Sequence, residues 1–301
     1  MINSIKKIVP LKIKKPIRNS VSRIAKKKRL FAGEATTIPI GVETGKYITP
    51  SRTFSNAEKP IEDFTESKYK KVLLEAKNHY RFIKFREALK TEHPAILWRH
   101  DIDFSIHRAL ALAKIERDLE ISSTYFIHLH NSFYNALENI IMRMIREIIS
   151  LGHSIGLHFD PTTFSDVGNW TEKIAWEKAI LENYFDVEIE AVSWHNPEFC
   201  GWLSVNEHQI CGMVNAYSSQ IREKFTYFSD SNGYWRFEPV PSVIKSQKYE
   251  RIQVLIHPCW WTEELIPPRK RILRCAEGRS QNNIRDYDRF IQESGRLNID
   301  D

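Results

Sequence analysis

Only four cysteines occur in the 301 residues, at 200, 211, 259 and 275, and no two have CxxC spacing. That argues against a secreted disulfide scaffold and for thiols kept reduced in a cytoplasm. No uninterrupted apolar run approaches 18 residues, so no transmembrane helix is expected. The N-terminus lacks the apolar core of a secretory signal. Acidic residues are absent from residues 1–30, which hold eleven Lys and Arg. The formal charge of +6 therefore averages a basic leader with a body of 33 basic and 38 acidic residues. Aromatic residues are also missing before Phe31, which leaves no platform for base stacking, and no nucleic-acid partner is expected. Pro10 and Pro16 break any long helix in the leader. It reads as a solvated tail or as a peripheral contact with anionic membrane, where each basic residue adds about 1 kcal/mol.

What is present is a globular composition, 42% hydrophobic and 27% charged. Residues 31–63 carry Gly, Thr, Ser and Pro and read as a linker or irregular extension. From residue 64 to 301 the pattern is that of one barrel-sized domain. Thr65 caps a helix running to about His79. Tyr80–Phe85 is strand-like, Arg86–Lys90 a short helix, and Ala95–Trp98 an apolar strand. Ser105 caps a helix to Glu120, and Ser123–Leu129 is a strand rich in aromatic and β-branched residues. Leu137, Ile141, Met144, Ile145 and Ile148 share one helical face over 135–151, closed by Gly152. Strands at Ser154–Phe159, Ile189–Trp194, Met213–Tyr217, Tyr227–Ser229 and Gln253–Ile256 follow, with a helix at Glu172–Tyr184. After Pro267-Pro268 the chain is polar and helical from Ile284 to Gln292. Strands alternating with helices imply parallel sheet, either a barrel or a doubly wound sheet.

Polar residues collect at strand ends, where such folds place their chemistry. The Ala95–Trp98 strand runs into Arg99-His100-Asp101-Ile102-Asp103. Later strands end in Gly152-His153-Ser154-Ile155-Gly156-Leu157-His158, in Ser193-Trp194-His195-Asn196-Pro197, and in Ile256-His257-Pro258. An isolated histidine after a strand is ordinarily structural. Three at successive strand ends, with a pair of carboxylates, form a ligand set for zinc or another divalent ion such as cobalt or nickel.

These motifs, with Asp230-Ser231 and Trp235, resemble the polysaccharide deacetylase family, carbohydrate esterase family 4. More closely, they resemble the branch found in bacterial surface-polysaccharide gene clusters, whose first motif reads RHDxD. The resemblance spans about Phe64 to Trp261 and implies a distorted (β/α)7 barrel of the glycoside hydrolase/deacetylase type. It further implies a metal-dependent hydrolase that removes an acetyl group, N-acetyl rather than O-acetyl, from a sugar in surface-polysaccharide (lipopolysaccharide) biosynthesis. By motif order Asp101 is the general base and Asp103 a metal ligand. His158 matches the first metal histidine, His257 protonates the leaving amine, and Asp230 orients it. The expected partner is an acetylated sugar or glycan precursor, met in the cytoplasm; residues 1–30 are then either a solvated tail or a peripheral contact with the membrane surface.

The sequence departs from the family pattern in two places. Thr162 stands where the second metal histidine belongs, so Asp160, His195 or water must fill that position. His195 stands where the third motif has an arginine, as a ligand or as a partner of the base, with the ligand role preferred; Arg99 can supply the missing positive charge. Trp260, Trp261 and Arg99 are candidates for substrate contact, and Trp194 reads as core. Two other readings stay open: a hydrolase of another non-peptide C–N bond on the same barrel, and a catalytically degenerate carbohydrate-binding protein.

Overall fold

Side chains alternate across a strand, so each strand offers one face to the middle of a barrel and the other to its helices. The computed structural model describes residues 61–164 and 169–299, without the side chains of Phe199 and Cys200. The basic leader, residues 1–30, and all but the last three residues of the 31–63 linker lie outside the described residues. The described elements begin with α1 (Glu66–His79), β1 (Arg81–Phe82), β2 (Ala95–Ile102), α2 (Ile106–Asp118), β3 (Thr124–Ile127) and α3 (Asn139–Ser150). They continue with β4 (Ser154–Phe159), α4 (Trp170–Phe185), β5 (Ala191–Trp194), the one-turn α5 (Pro197–Cys200), β6 (Gln209–Ile210) and β7 (Met213–Asn215). The last are α6 (Ser219–Lys224), β8 (Thr226–Ser229), α7 (Val240–Ser246), β9 (Arg251–Ile256) and α8 (Pro268–Glu293).

The strands pair in the order β6-β7-β5-β4-β3-β2-β9-β8. All pairs are parallel except β6 with β7. β2 is long enough to hold β1 beside Ala95 and Ile96 and β3 beside residues 99–102 on the same edge, with β9 on the other. Three strand spacings separate β2 from β5, about 14 Å in a flat sheet. Yet Ser193 Oγ on β5 lies 3.4 Å from Asp101 Oδ1 on β2. Only a curled sheet brings them together, and contacts across the interior hold the curl. Arg99 on β2 donates to the Tyr217 hydroxyl at 2.6 Å, and Gln253 on β9 donates to the Ala216 carbonyl at 3.3 Å. The fold is a distorted (β/α) barrel, as the alternation and the resemblance predict.

On β2, Trp98 and His100 face the helices: Trp98 Nε1 donates to the Tyr69 hydroxyl of α1, and His100 pairs with Glu116 of α2. Leu97, Arg99 and Asp101 therefore face the interior, and Asp103 continues that row. The single residue between the two acids is what places both on one face. On β4 the same rule turns Ile155, Leu157 and Phe159 into the apolar core and His158 inward. Gly156 belongs to the inner row, where a Cβ would lie 2.6 Å from the Phe126 ring and 2.9 Å from the Ala191 carbonyl.

Most element boundaries shift by a residue or two from the sequence reading, and several shift further, β2 among them, which runs on past Trp98 to Ile102. Only Arg81–Phe82 of the 80–85 strand is paired, and 86–90 is a 3-10 turn at Phe85–Glu87. α3 begins at Asn139 rather than 135, because Asn131 and Asn135 spend their side-chain oxygens on turn amides of Phe133 and Leu137. α8 runs from Pro268 rather than Ile284, since proline at the first helical position starts a helix rather than ending one. No described helix is long and apolar enough to cross a membrane.

Candidate active site

The interior rows of β2, β4, β5 and β9 converge at the C-terminal end of the barrel on a cleft of about 90 Å³, lined by Asp101, Asp103, His158, His195 and His257 among others. Asp101 is 2% exposed. Its Oδ2 accepts from Arg99 Nη2 at 3.1 Å and its Oδ1 from the Ser193 hydroxyl at 3.4 Å. Arg99 is fully buried, stacked against the Tyr217 ring at 4.5 Å, and does not line the cleft. Burial would lower its pKa, but Asp101 and the tyrosines outweigh this and hold it charged.

Protons in this row are fixed by their partners. Ser193 has one hydroxyl proton, and giving it to Asp101 leaves Oγ to accept from His158 Nδ1 at 2.7 Å. His158 Nε2 lies 3.1 Å from Asp103 Oδ1. That oxygen is buried and takes no well-aligned hydrogen bond among the described residues. Asp103 stays ionised: burial raises its pKa, and His158, His257 and His195 more than reverse this.

His257 is anchored from behind. Asp230 Oδ1 accepts from its Nδ1 at 2.7 Å and from its backbone N–H at 2.9 Å, while Trp261 Nε1 donates to Asp230 Oδ2 at 2.8 Å. Its Nε2 is left facing the cleft, 3.6 Å from Asp103 Oδ2. Burial lowers the imidazole pKa, but Asp230 and the two cleft carboxylates push it up to about 9. It carries a proton at neutral pH.

A second group adjoins the first. His128, Asp160 and His195 place one ligand atom each within 4.8 Å of one another and can hold a metal ion. His128 and His195 rings lie 5.7 Å and 5.4 Å from the His158 ring, so the two groups share one corner of the barrel. His195 Nδ1 donates to Asp160 Oδ2 at 3.0 Å, and Asn196 reaches its Nε2 at 3.1 Å. Thr162, in the place of the expected histidine, donates its hydroxyl to Asp160 Oδ1 at 2.7 Å and so aims Asp160 at His195. Burial and the neighbouring imidazoles hold His128 down to about 3, keeping it neutral, the form that ligates cations. Its Nε2 is buried without a hydrogen-bond partner. Together with the facing Asp103–His158 pair, these oxygen and nitrogen donors fit a borderline divalent cation.

The sequence-predicted residues Asp101, Asp103, His158, His195, His257 and Asp230 are thus brought together. Trp260 and Trp261 are not offered to a sugar: both are core residues, 6% and 1% exposed, absent from the cleft lining, and Trp261 serves Asp230 instead. Trp194 is buried as expected, and its edge borders the cleft. His153 bonds to Ser123 and Ala113 main-chain groups at the far end of β4. The sequence reading passed over His128 and Ser193. His128 carried the same signal as the others, a histidine at the end of a strand, inside the run read as Ser123–Leu129.

Among known proteins, no family model matches the chain and no curated protein does. Solved structures give distant likenesses. A deacetylase from Streptococcus pyogenes, PplD, in complex with acetate, is 12% identical over 69% of this chain and 85% of its own, with a TM-score of 0.37. A family 4 carbohydrate esterase from Bacillus anthracis is 12% identical over 77% and 90%, with a TM-score of 0.36. BA3943 from Bacillus anthracis, a pseudoenzyme of the same family, is 11% identical over 62% of each chain, with a TM-score of 0.36.

Proposed function

We propose that the chain is a hydrolase that removes an acetyl group from a sugar, acting with a divalent cation, zinc by donor set. The observation that carries this is the gathering of imidazoles and carboxylates at one corner of the barrel: His128, Asp160 and His195 have ligand atoms within 4.8 Å of one another, and the Asp103–His158 pair adjoins them. The order and spacing of the sequence motifs support the same reading. Asp103 and His158 hold the cation, and His195 completes the set. With Nε2 toward the cation, His158 gives its Nδ1–H to Ser193, the outer contact that fixes a ligand imidazole in its tautomer. When bound, such a cation polarises the acetyl carbonyl and brings the pKa of its water from 15.7 to about 7.

Asp101 is the general base, its oxygens at the cleft and Arg99 behind it replacing the arginine the third motif lacks. His257 Nε2 delivers a proton to the departing amine, which favours an N-acetyl over an O-acetyl substrate, because an amine leaves only when protonated. Asp230 and Trp261 position that imidazole. The substrate class is an acetylated precursor of a bacterial surface glycan, reached in the cytoplasm, with the basic leader at the membrane face. Acetate release from a panel of N- and O-acetylated sugars tests this. Activity on N-acetyl sugars, lost in Asp101→Asn, is the expected result; turnover untouched by Asp101→Asn removes the base assignment.

A further inference from the structure

Beside the candidate active site lies a second and larger cavity, about 330 Å³, between the start of α2 and the inner face of α8. Its lining includes Arg108, Arg271, Arg274, Arg279 and Arg285 with His107, and no aspartate or glutamate. Arg108 pairs with Glu66 and Arg279 with Glu138. Arg274 and Arg285, both exposed, have no ion pair among the described residues, and neither does Arg271.

Arg271 is the unusual member. It is 1% exposed, and Nε, Nη1 and Nη2 are all buried without a hydrogen-bond partner. The Phe64 ring lies 5.7 Å from its guanidinium carbon. Asp230 and Asp63 act on it only from beyond ion-pair distance, and a buried guanidinium whose nitrogens meet no acceptor is costly, so this state points to an anion that belongs beside it. The wall opposite α8 is formed by Ser105, Ile106 and His107, the first turn of the 13-residue α2, whose free amide N–H groups favour negative charge. On α8 the positions 271, 274, 278 and 285 share one face, and Gly278 among them leaves open space, with no atom within 4 Å of where a Cβ would be. Fixed, planar donors suit the oxygens of a phosphate bidentately.

We infer that this arginine cavity binds a phosphate or diphosphate group. It adjoins the candidate active site through the chain itself. Phe104, in its lining, directly follows Asp103, and Cys259, also in its lining, is two residues past His257. The same chemistry can come from a free anion or from a phosphorylated sugar. The inference does not rest on the deacetylase reading, because binding alone tests it.

The test is calorimetric titration of the full chain with inorganic phosphate, inorganic diphosphate and N-acetylglucosamine 1-phosphate, with N-acetylglucosamine as the uncharged control. Two variants accompany it: Arg271→Met, and the surface pair Arg274→Ala/Arg285→Ala. The expected result is one diphosphate bound per chain, weakened at least tenfold in each variant. Sugar phosphate binding tenfold tighter than phosphate assigns the cavity to a substrate-borne group, and equal affinities assign it to a free anion; either supports the site. Should Arg271→Met fail to fold, the surface pair decides. Absence of phosphate and diphosphate binding, or affinity unchanged in the surface pair, overturns the inference.

Discussion

Glu116 offers the sharpest test of what supports the first motif from behind. It sits on α2 with no exposed surface, and its two carboxylate oxygens receive His100 Nε2 at 2.7 Å, the Ser123 and Tyr125 hydroxyls at 2.8 Å each, and the Tyr69 hydroxyl. Tyr69 in turn accepts from Trp98. Two outward residues of β2 are thereby fixed, and with them the inward row that bears Arg99 and Asp101. Burial would raise the Glu116 pKa, but His100, His153 and Tyr69 overcome this and hold it down to about 2, against an ordinary 4.5. A displacement of that size corresponds to about 3 kcal/mol, and removing one partner of a buried pair costs about 3–5 kcal/mol by mutational experience. Glu116→Gln keeps the volume and loses the charge, so we expect it to destabilise by about 3 kcal/mol. For a domain of this size that lowers Tm by roughly 6–12 °C. The depressed pKa also sets a pH window. Its stability is complete above about 4.5 and is lost as pH falls toward about 2. Chemical denaturation of both proteins at pH 7, 4.5 and 3 reads this out: the gap should be widest at pH 7 and close with acid. A gap below about 1 kcal/mol at pH 7, or one constant with pH, refutes the reasoning.

Three further outcomes follow from other sites. Gly156→Ala pushes a methyl into the Phe126 ring and the Ala191 carbonyl, and should cost about 1–3 kcal/mol by denaturant titration. Glu177, buried on α4 with Oε2 unpartnered, has its pKa pushed up to about 8 by burial and then by Asp160. Its folded state favours the protonated form, so stability falls as pH rises from about 4.5 through about 8, and Glu177→Gln should raise Tm at pH 8.5 while changing little at pH 5. Asp230→Asn should lower kcat for acetate release about 100-fold with little change in KM, since His257 loses its anchor but no substrate contact changes.

Much of this was legible in the sequence for physical reasons. β4 was bounded correctly at Ser154–Phe159 because apolar residues alternate cleanly and Gly152, at positive φ, ends the helix before it. The i, i+2 spacing of Asp101 and Asp103 on a strand is enough to place both on one face. The pairing of Thr162 with Asp160, and of Asp160 with His195, was not legible, because it depends on a short turn that aims one carboxylate. Trp260 and Trp261 follow the histidine that faces the cleft, and adjacency in sequence suggested a shared surface. The 3-10 turn Pro258–Trp260 instead folds both into the core around Phe64 and Phe104. Glu116 read as one more polar position on a helix, since nothing local marks a carboxylate whose partners lie on α1, β2 and β3.

The central claim is that Asp103 and His158 seat a cation the chemistry needs. Elemental analysis of the purified chain, with acetate release measured on the same samples, tests it most directly. The account predicts about one divalent ion per chain, activity lost on chelation and restored by zinc or cobalt, and neither ion nor activity in His158→Ala. Acetate release that survives complete removal of metal, or an ion held as tightly by His158→Ala as by the natural chain, contradicts it.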